Sequence, residues 1–139
     1  MPSGKTHDKI SILFLPILLI LFYFMGLSQI AIIILSISYL FSSFMFNGDL
    51  DLHSNPYNRW LFLKWIWKPY QYMFHHRSIF THGLIIGTII RLIYIGFIPL
   101  IIMFFMGISL SFLINPLSFL IIIGLELGAA LHTICDFIF

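Results

Sequence analysis

The stretch HHRSIFTH, residues 75–82, holds three of the chain's six histidines. Related donors recur in DLDLH (Asp49, Asp51, His53), in HTICD (His132, Asp136) and near the start (His7, Asp8). Imidazole nitrogens and carboxylate oxygens suit zinc, manganese or iron, and the single cysteine, Cys135, leaves no thiolate site and no disulfide framework. An extended backbone through DLDLH would place Asp49, Asp51 and His53 on one side, because strand side chains alternate. His132 and Asp136 are four apart and share a face if helical. His76 and His82 are six apart, so a short turn brings both inward. These donors exceed the four of one structural zinc, which allows one or two divalent ions. Each piece also has an everyday reading: His75 at a membrane surface, DLDLH as a solvated turn, His132 paired with Asp136. Four separate pieces with one donor chemistry argue for a metal site.

The elements that must position them are set by an unusual composition. Of 139 residues, 60% are hydrophobic and 9% charged, with sixteen Phe, and the mean hydropathy is +1.05. A soluble domain of this length needs a polar surface that the chain cannot supply. The fold expected is all-α and polytopic: one membrane domain with four spans, over residues 10–27, 29–46, 84–105 and 117–139. Gly26, Ser28 and Gln29 turn the first pair into a hairpin. Pro16 and Pro99 predict kinks, and Asn115-Pro116 predicts a helix start. Lys5, Lys9 and the following apolar run also resemble a secretory signal, with GLS before Gln29 as the cleavage region. The net charge of +2 gives no reason to propose nucleic-acid binding.

Four spans put residues before the first, the segment 47–82 and residues after the fourth on one side. Lys5, Lys9, Arg59, Lys64, Lys68 and Arg77 all fall there, and the opposite turns carry no charge. The positive-inside rule then makes that side cytoplasmic, in a plasma (inner) or thylakoid membrane. The donor residues sort to the same face. Arg91 lies about 13 Å beyond His82 along its span and Glu126 about 15 Å before Asp136. Buried charge needs a partner, so these two are expected to form a structural ion pair. The segment WLFLKWIWKPYQYMF (60–74) has the aromatics of a headgroup-level anchor, with Lys64 and Lys68 toward anionic lipid. It is also a conceivable entry platform for a lipid, and Pro69 is expected to end it.

PSGKTHDKI, NGDLDLHSNPYNRWLFLKWIWKPY and HHRSIFTHGLIIGTIIRLIYI resemble a family of small bacterial, largely cyanobacterial, metal-binding membrane proteins. More distantly, an early His, Asp-x-Asp, HR-x-x-x-TH and a late His-x-x-x-Asp look like the YdjM-like inner-membrane hydrolases, related in turn to zinc-dependent phospholipase C. Carried onto this chain, the resemblance implies metal ligands at His7, Asp49 or Asp51, His53, His76, His82, His132 and Asp136. The function expected is hydrolysis of a lipid or lipid-linked phosphoester at headgroup height. Asp49 or Asp51 would bridge metals or act as general base, and Arg77 would clamp the phosphate. A different expectation is a non-catalytic subunit of a larger photosynthetic or respiratory membrane complex, its histidines structural or ligating a pigment or haem.

Overall fold

A computed structural model describes residues 4–138. Phe139, the last residue of the expected fourth span, lies outside the described residues. Regular structure among them is wholly helical: α1 (Gly4–Phe24), α2 (Gln29–Met45), α3 (Asn55–Arg59), α4 (Trp67–Met73), α5 (Ile79–His82), α6 (Ile86–Phe105) and α7 (Pro116–Ile138). Short 3-10 turns cover Gly48–Asp51, Leu61–Ile66 and Ser111–Ile114. Four helices are long and apolar enough to cross a membrane: α1, α2 with the turn that follows it, α6 and α7.

Local chemistry sets the helix ends. Gly26, at φ +72°, makes the turn after α1, and Ser28 caps α2 by accepting from the Ala31 amide at 3.3 Å. Asn115 Oδ1 accepts from Leu117 N at 2.9 Å, with Pro116 as the first residue of α7. Pro16 and Pro99 lie inside α1 and α6. The first helix begins at Gly4, six residues before the apolar run. His7 and Ser11 are buried there, and the Tyr39 hydroxyl donates to Ser11 O at 2.9 Å. The polar turns are thus held by tertiary contacts that hydropathy does not register.

Among the four long helices, α2 and α7 pack most extensively. Gly124 and Gly128, one turn apart on α7, permit it. A Cβ at Gly124 would lie 2.7 Å from Leu35 O, and one at Gly128 would lie 2.5 Å from Tyr39 O. The small-x-x-x-small pattern in GLELG is the signal for such close approach, and the composition reading passed over it. Across the contact Ser42 Oγ donates to Leu125 O at 2.5 Å.

Two expectations need correction. The aromatic segment is not solely an interfacial anchor. Trp67 and Tyr70 have no exposed surface and pack with Phe46, Leu50, Tyr57 and Leu125, while Phe62, Trp65 and Tyr72 are exposed. A 3-10 turn leading into α4 gives the segment two faces, and Trp67 and Tyr70, three apart, share the inner one. Burial pushes the Tyr70 phenol up to about 12. Pro69 sits in the first turn of α4 rather than ending the segment, a position where its missing N–H has no intrahelical partner to lose. Arg91 and Glu126, in turn, do not form the expected ion pair. Arg91 Nη1 donates to Thr81 O at 2.6 Å and Nη2 to Thr88 Oγ1 at 3.0 Å, whereas Glu126 Oε1 accepts from Ile85 N at 2.8 Å. Rise per residue carries no information about which way each side chain faces.

Candidate metal centre

The donor residues reach one place from four elements. His7 comes from the first turns of α1, Asp49 and Asp51 from the 3-10 turn after α2, His76 and His82 from the approach to α6, and His132 and Asp136 from α7. DLDLH is not extended, contrary to the alternation argument. Asn47 Oδ1 accepts from Asp49 N at 3.1 Å and starts the Gly48–Asp51 turn, and Leu50 is fully buried. At about three residues per turn, Asp49 and Asp51 point roughly 120° apart instead of in parallel. That divergence lets them flank His82 from two sides.

Asp49, His82, His132 and Asp136 form one group, each offering a donor atom within 4.8 Å of the others. Asp49 Oδ1 lies 3.3 Å from His132 Nε2 and 3.6 Å from His82 Nε2. Asp136 Oδ2 lies 3.5 Å from His132 Nε2 and 3.8 Å from His82 Nε2. Ligands about 2.0–2.1 Å from a tetrahedral ion stand about 3.3–3.4 Å apart, so these separations suit a common ion. A second group, Asp51, His76 and His82, shares His82 with the first. His76 Nδ1 is 2.9 Å from Asp51 Oδ1, and His82 Nδ1 is 3.7 Å from Asp51 Oδ2. His7 flanks the cluster, its Nε2 3.1 Å from Asp136 Oδ1 and its ring 4.3 Å from that of His132.

The chemistry of these atoms fits a divalent cation. Asp49 Oδ1, His82 Nε2, His132 Nε2 and Asp136 Oδ2 are buried and make no hydrogen bond. Buried polar atoms without partners are costly and need an explanation. Donors turned toward one another at these separations are explained by a shared ion.

A cavity of about 420 Å³ opens beside the cluster, lined among others by Arg77, His82, Thr133 and Asp136. Arg77 is exposed and adopts φ +59°, a left-handed conformation that a non-glycine residue adopts at some cost. His75 is exposed, as an interfacial residue would be.

His53 is not brought to the cluster. It is exposed, its Nε2 is 2.7 Å from Lys68 Nζ, and its ring lies beside Tyr57. Once the turn ends at Asp51, the chain carries His53 outward. Replacing His53 with Ala is therefore expected to leave metal content unchanged, measured by elemental analysis of the purified variant. A loss of metal would return His53 to the ligand set.

Three contributors to the site are not themselves metal-donor residue types. A Cβ on Gly48 would come within 2.8 Å of the His82 ring, so only glycine lets that imidazole approach. Thr81 Oγ1 is 3.0 Å from His82 Nδ1, and Thr133 Oγ1 donates to His82 O at 3.2 Å. Thr81 stands within the quoted HHRSIFTH, adjacent to a donor histidine, which is the one signal that could have found it.

The sequence profile of the family described as "Uncharacterized metal-binding protein (DUF2227)" matches residues 2–119. The chain belongs to this family. An uncharacterized protein of Aquifex aeolicus (strain VF5) is 33% identical over 123 residues, covering 73% of this chain and 86% of that relative. No solved structure matches the chain. The DUF2227 match contains Asp49, Asp51, His76 and His82, while His132 and Asp136 lie beyond it. Their place in the centre rests on geometry alone. For this DUF2227 protein, metal binding and the His/Asp cluster agree.

Proposed function

We propose that this protein is a membrane-embedded hydrolase that uses a divalent metal, zinc by preference with manganese or iron as alternatives, to cleave a phosphoester of a lipid or lipid-linked substrate. The observation that carries the reading is the four-donor group opening onto a cavity with an arginine at its edge. Asp49, His82, His132 and Asp136 would hold the ion. A bound divalent ion supplies Lewis acidity toward a phosphoryl oxygen and lowers the pKa of water. Arg77, with a planar fork of donors, would bind the phosphate oxygens. Asp51, buried and paired to His76, would orient that histidine behind the centre. The apolar residues Ile79 and Phe137 on the same cavity suit the tail of an amphiphile. The order of an early His, Asp-x-Asp, HR-x-x-x-TH and a late His-x-x-x-Asp, which resembles that of YdjM-like hydrolases, is the sequence pattern in keeping with this reading. By the positive-inside rule the site would face the cytoplasm.

The non-catalytic alternative draws on α6, of which only 11% is buried, a face that a larger complex would cover as well as lipid would. Pigment or haem ligation is less well supported, because the inner imidazoles face carboxylates at 3.3–3.8 Å. The test is a phosphoesterase assay on metal-loaded protein in mixed micelles, with phospholipid and soluble aryl phosphate substrates. The reading expects turnover of a phospholipid-type substrate that falls at least tenfold in Arg77→Ala, with metal retained. Metal-loaded protein inert toward every phosphoester would favour the subunit reading.

A further inference from the structure

His82 belongs to both donor groups, and the two use different nitrogens. Its Nε2 faces Asp49 and Asp136, and its Nδ1 faces Asp51. A neutral imidazole has one lone pair and one N–H, so which nitrogen carries the proton decides which group can bind an ion. The neighbours of Nδ1 bear on that choice. Thr81 Oγ1 lies 3.0 Å away, and Thr81 is only 1% exposed. The same hydroxyl reaches two carbonyls, Ser78 O at 3.3 Å and His75 O at 3.4 Å, and lies 3.4 Å from Ser78 Oγ. Carbonyls only accept, so a Thr81 hydroxyl that donates to either of them keeps a lone pair that can accept from Nδ1–H. Asp51 Oδ2, at 3.7 Å from Nδ1, is beyond hydrogen-bond distance. The Thr81 contact therefore suits a proton on Nδ1, with the Nε2 lone pair turned to the side of Asp49 and Asp136.

We propose that Thr81 is a positioning residue that holds His82 as the Nδ1–H form, so that His82 Nε2 joins Asp49, His132 and Asp136 around a single ion. The proposal rests on the metal-centre reading and goes beyond it in choosing between the two groups. Asp51 is then outside the ligand set, with its Oδ1 2.9 Å from His76 Nδ1. Partners outside the ligand set fix the tautomer of a ligating histidine and raise its basicity. Arg91 gains a role here. Its guanidinium, 1% exposed and deep in α6, donates to Thr81 O and so fixes the residue that fixes His82.

The experiment has two parts. Nitrogen-15 NMR of metal-free wild-type protein labelled at histidine side chains, at pH 8, reads the tautomer directly, with a His82→Gln sample assigning the resonance. Titration with zinc against a chelator, and the absorption spectrum with cobalt, then compare wild type, Thr81→Ser and Thr81→Val. Expected are Nδ1–H at His82, one ion per chain, and Thr81→Ser close to wild type. Thr81→Val should bind about 10–100-fold more weakly, with a changed cobalt spectrum. An Nε2–H tautomer, two ions per wild-type chain, or Thr81→Val binding as tightly as Thr81→Ser would each overturn the proposal while leaving the metal centre standing. Wild type that binds no ion would overturn the metal centre and this proposal with it.

Discussion

Replacing His82 with alanine should abolish high-affinity metal binding, and His132→Ala and Asp136→Asn should do nearly the same, while His76→Ala keeps a weakened site. The ranking follows from position. His82 is the one residue common to both donor groups, and His132 Nε2 lies within 3.5 Å of both carboxylates of the first. Loss of a partner outside the ligand set costs about 10–100-fold in affinity, and loss of a ligand should exceed that. His76 is outside the first group, reaching it through Asp51 and through its ring, 5.0 Å from that of His82, so its loss should fall inside that range. Equilibrium dialysis with zinc or manganese measures all four variants on one scale. Equal losses in His76→Ala and His82→Ala would mean that the two groups act as a single centre.

The second large effect lies away from the donors. Gly128→Val should destabilise the protein by about 3 kcal/mol, the upper part of the usual range for overpacking, and weaken metal binding at the same time. A Cβ at position 128 would meet Tyr39 O at 2.5 Å and Ser43 N at 2.8 Å. Both are backbone atoms of a helix and cannot swing aside. Separating α7 from α2 also moves His132, one turn further along the same helix. Gly96→Ala is the control, since its Cβ would meet only Leu100 Cδ1 at 3.6 Å. That substitution should be neutral or slightly stabilising through helix propensity. Unfolding in mixed micelles, followed by circular dichroism, gives the first quantity and dialysis the second. Gly128→Val as stable as Gly96→Ala would contradict the tight α2–α7 contact.

Much of the architecture was legible because hydropathy over 18–20 residues is an additive signal. The four apolar runs, the turn at Gly26 and the start at Pro116 needed no tertiary information. The list of donors was legible for a related reason, since in so apolar a chain each His and Asp stands out. Their directions were not legible. DLDLH fits a strand as well as a turn by spacing, and the choice was made by Leu50, which needed burial, and by the Asn47 cap. His53 fell outside the centre as a consequence. Arg91 and Glu126 were matched by height, yet each found a backbone partner at the approach to α6. Trp67 and Tyr70 look like interfacial aromatics by type, and only packing shows that they belong to the core.

The most direct test of the central claim is elemental analysis of the wild-type protein, purified in detergent without chelators, beside a His82→Ala, His132→Ala double variant. The account predicts a divalent metal near one equivalent per chain in the wild type and none above background in the variant. Wild type free of metal, or a variant that retains it, would contradict the assignment of Asp49, His82, His132 and Asp136 as the metal centre.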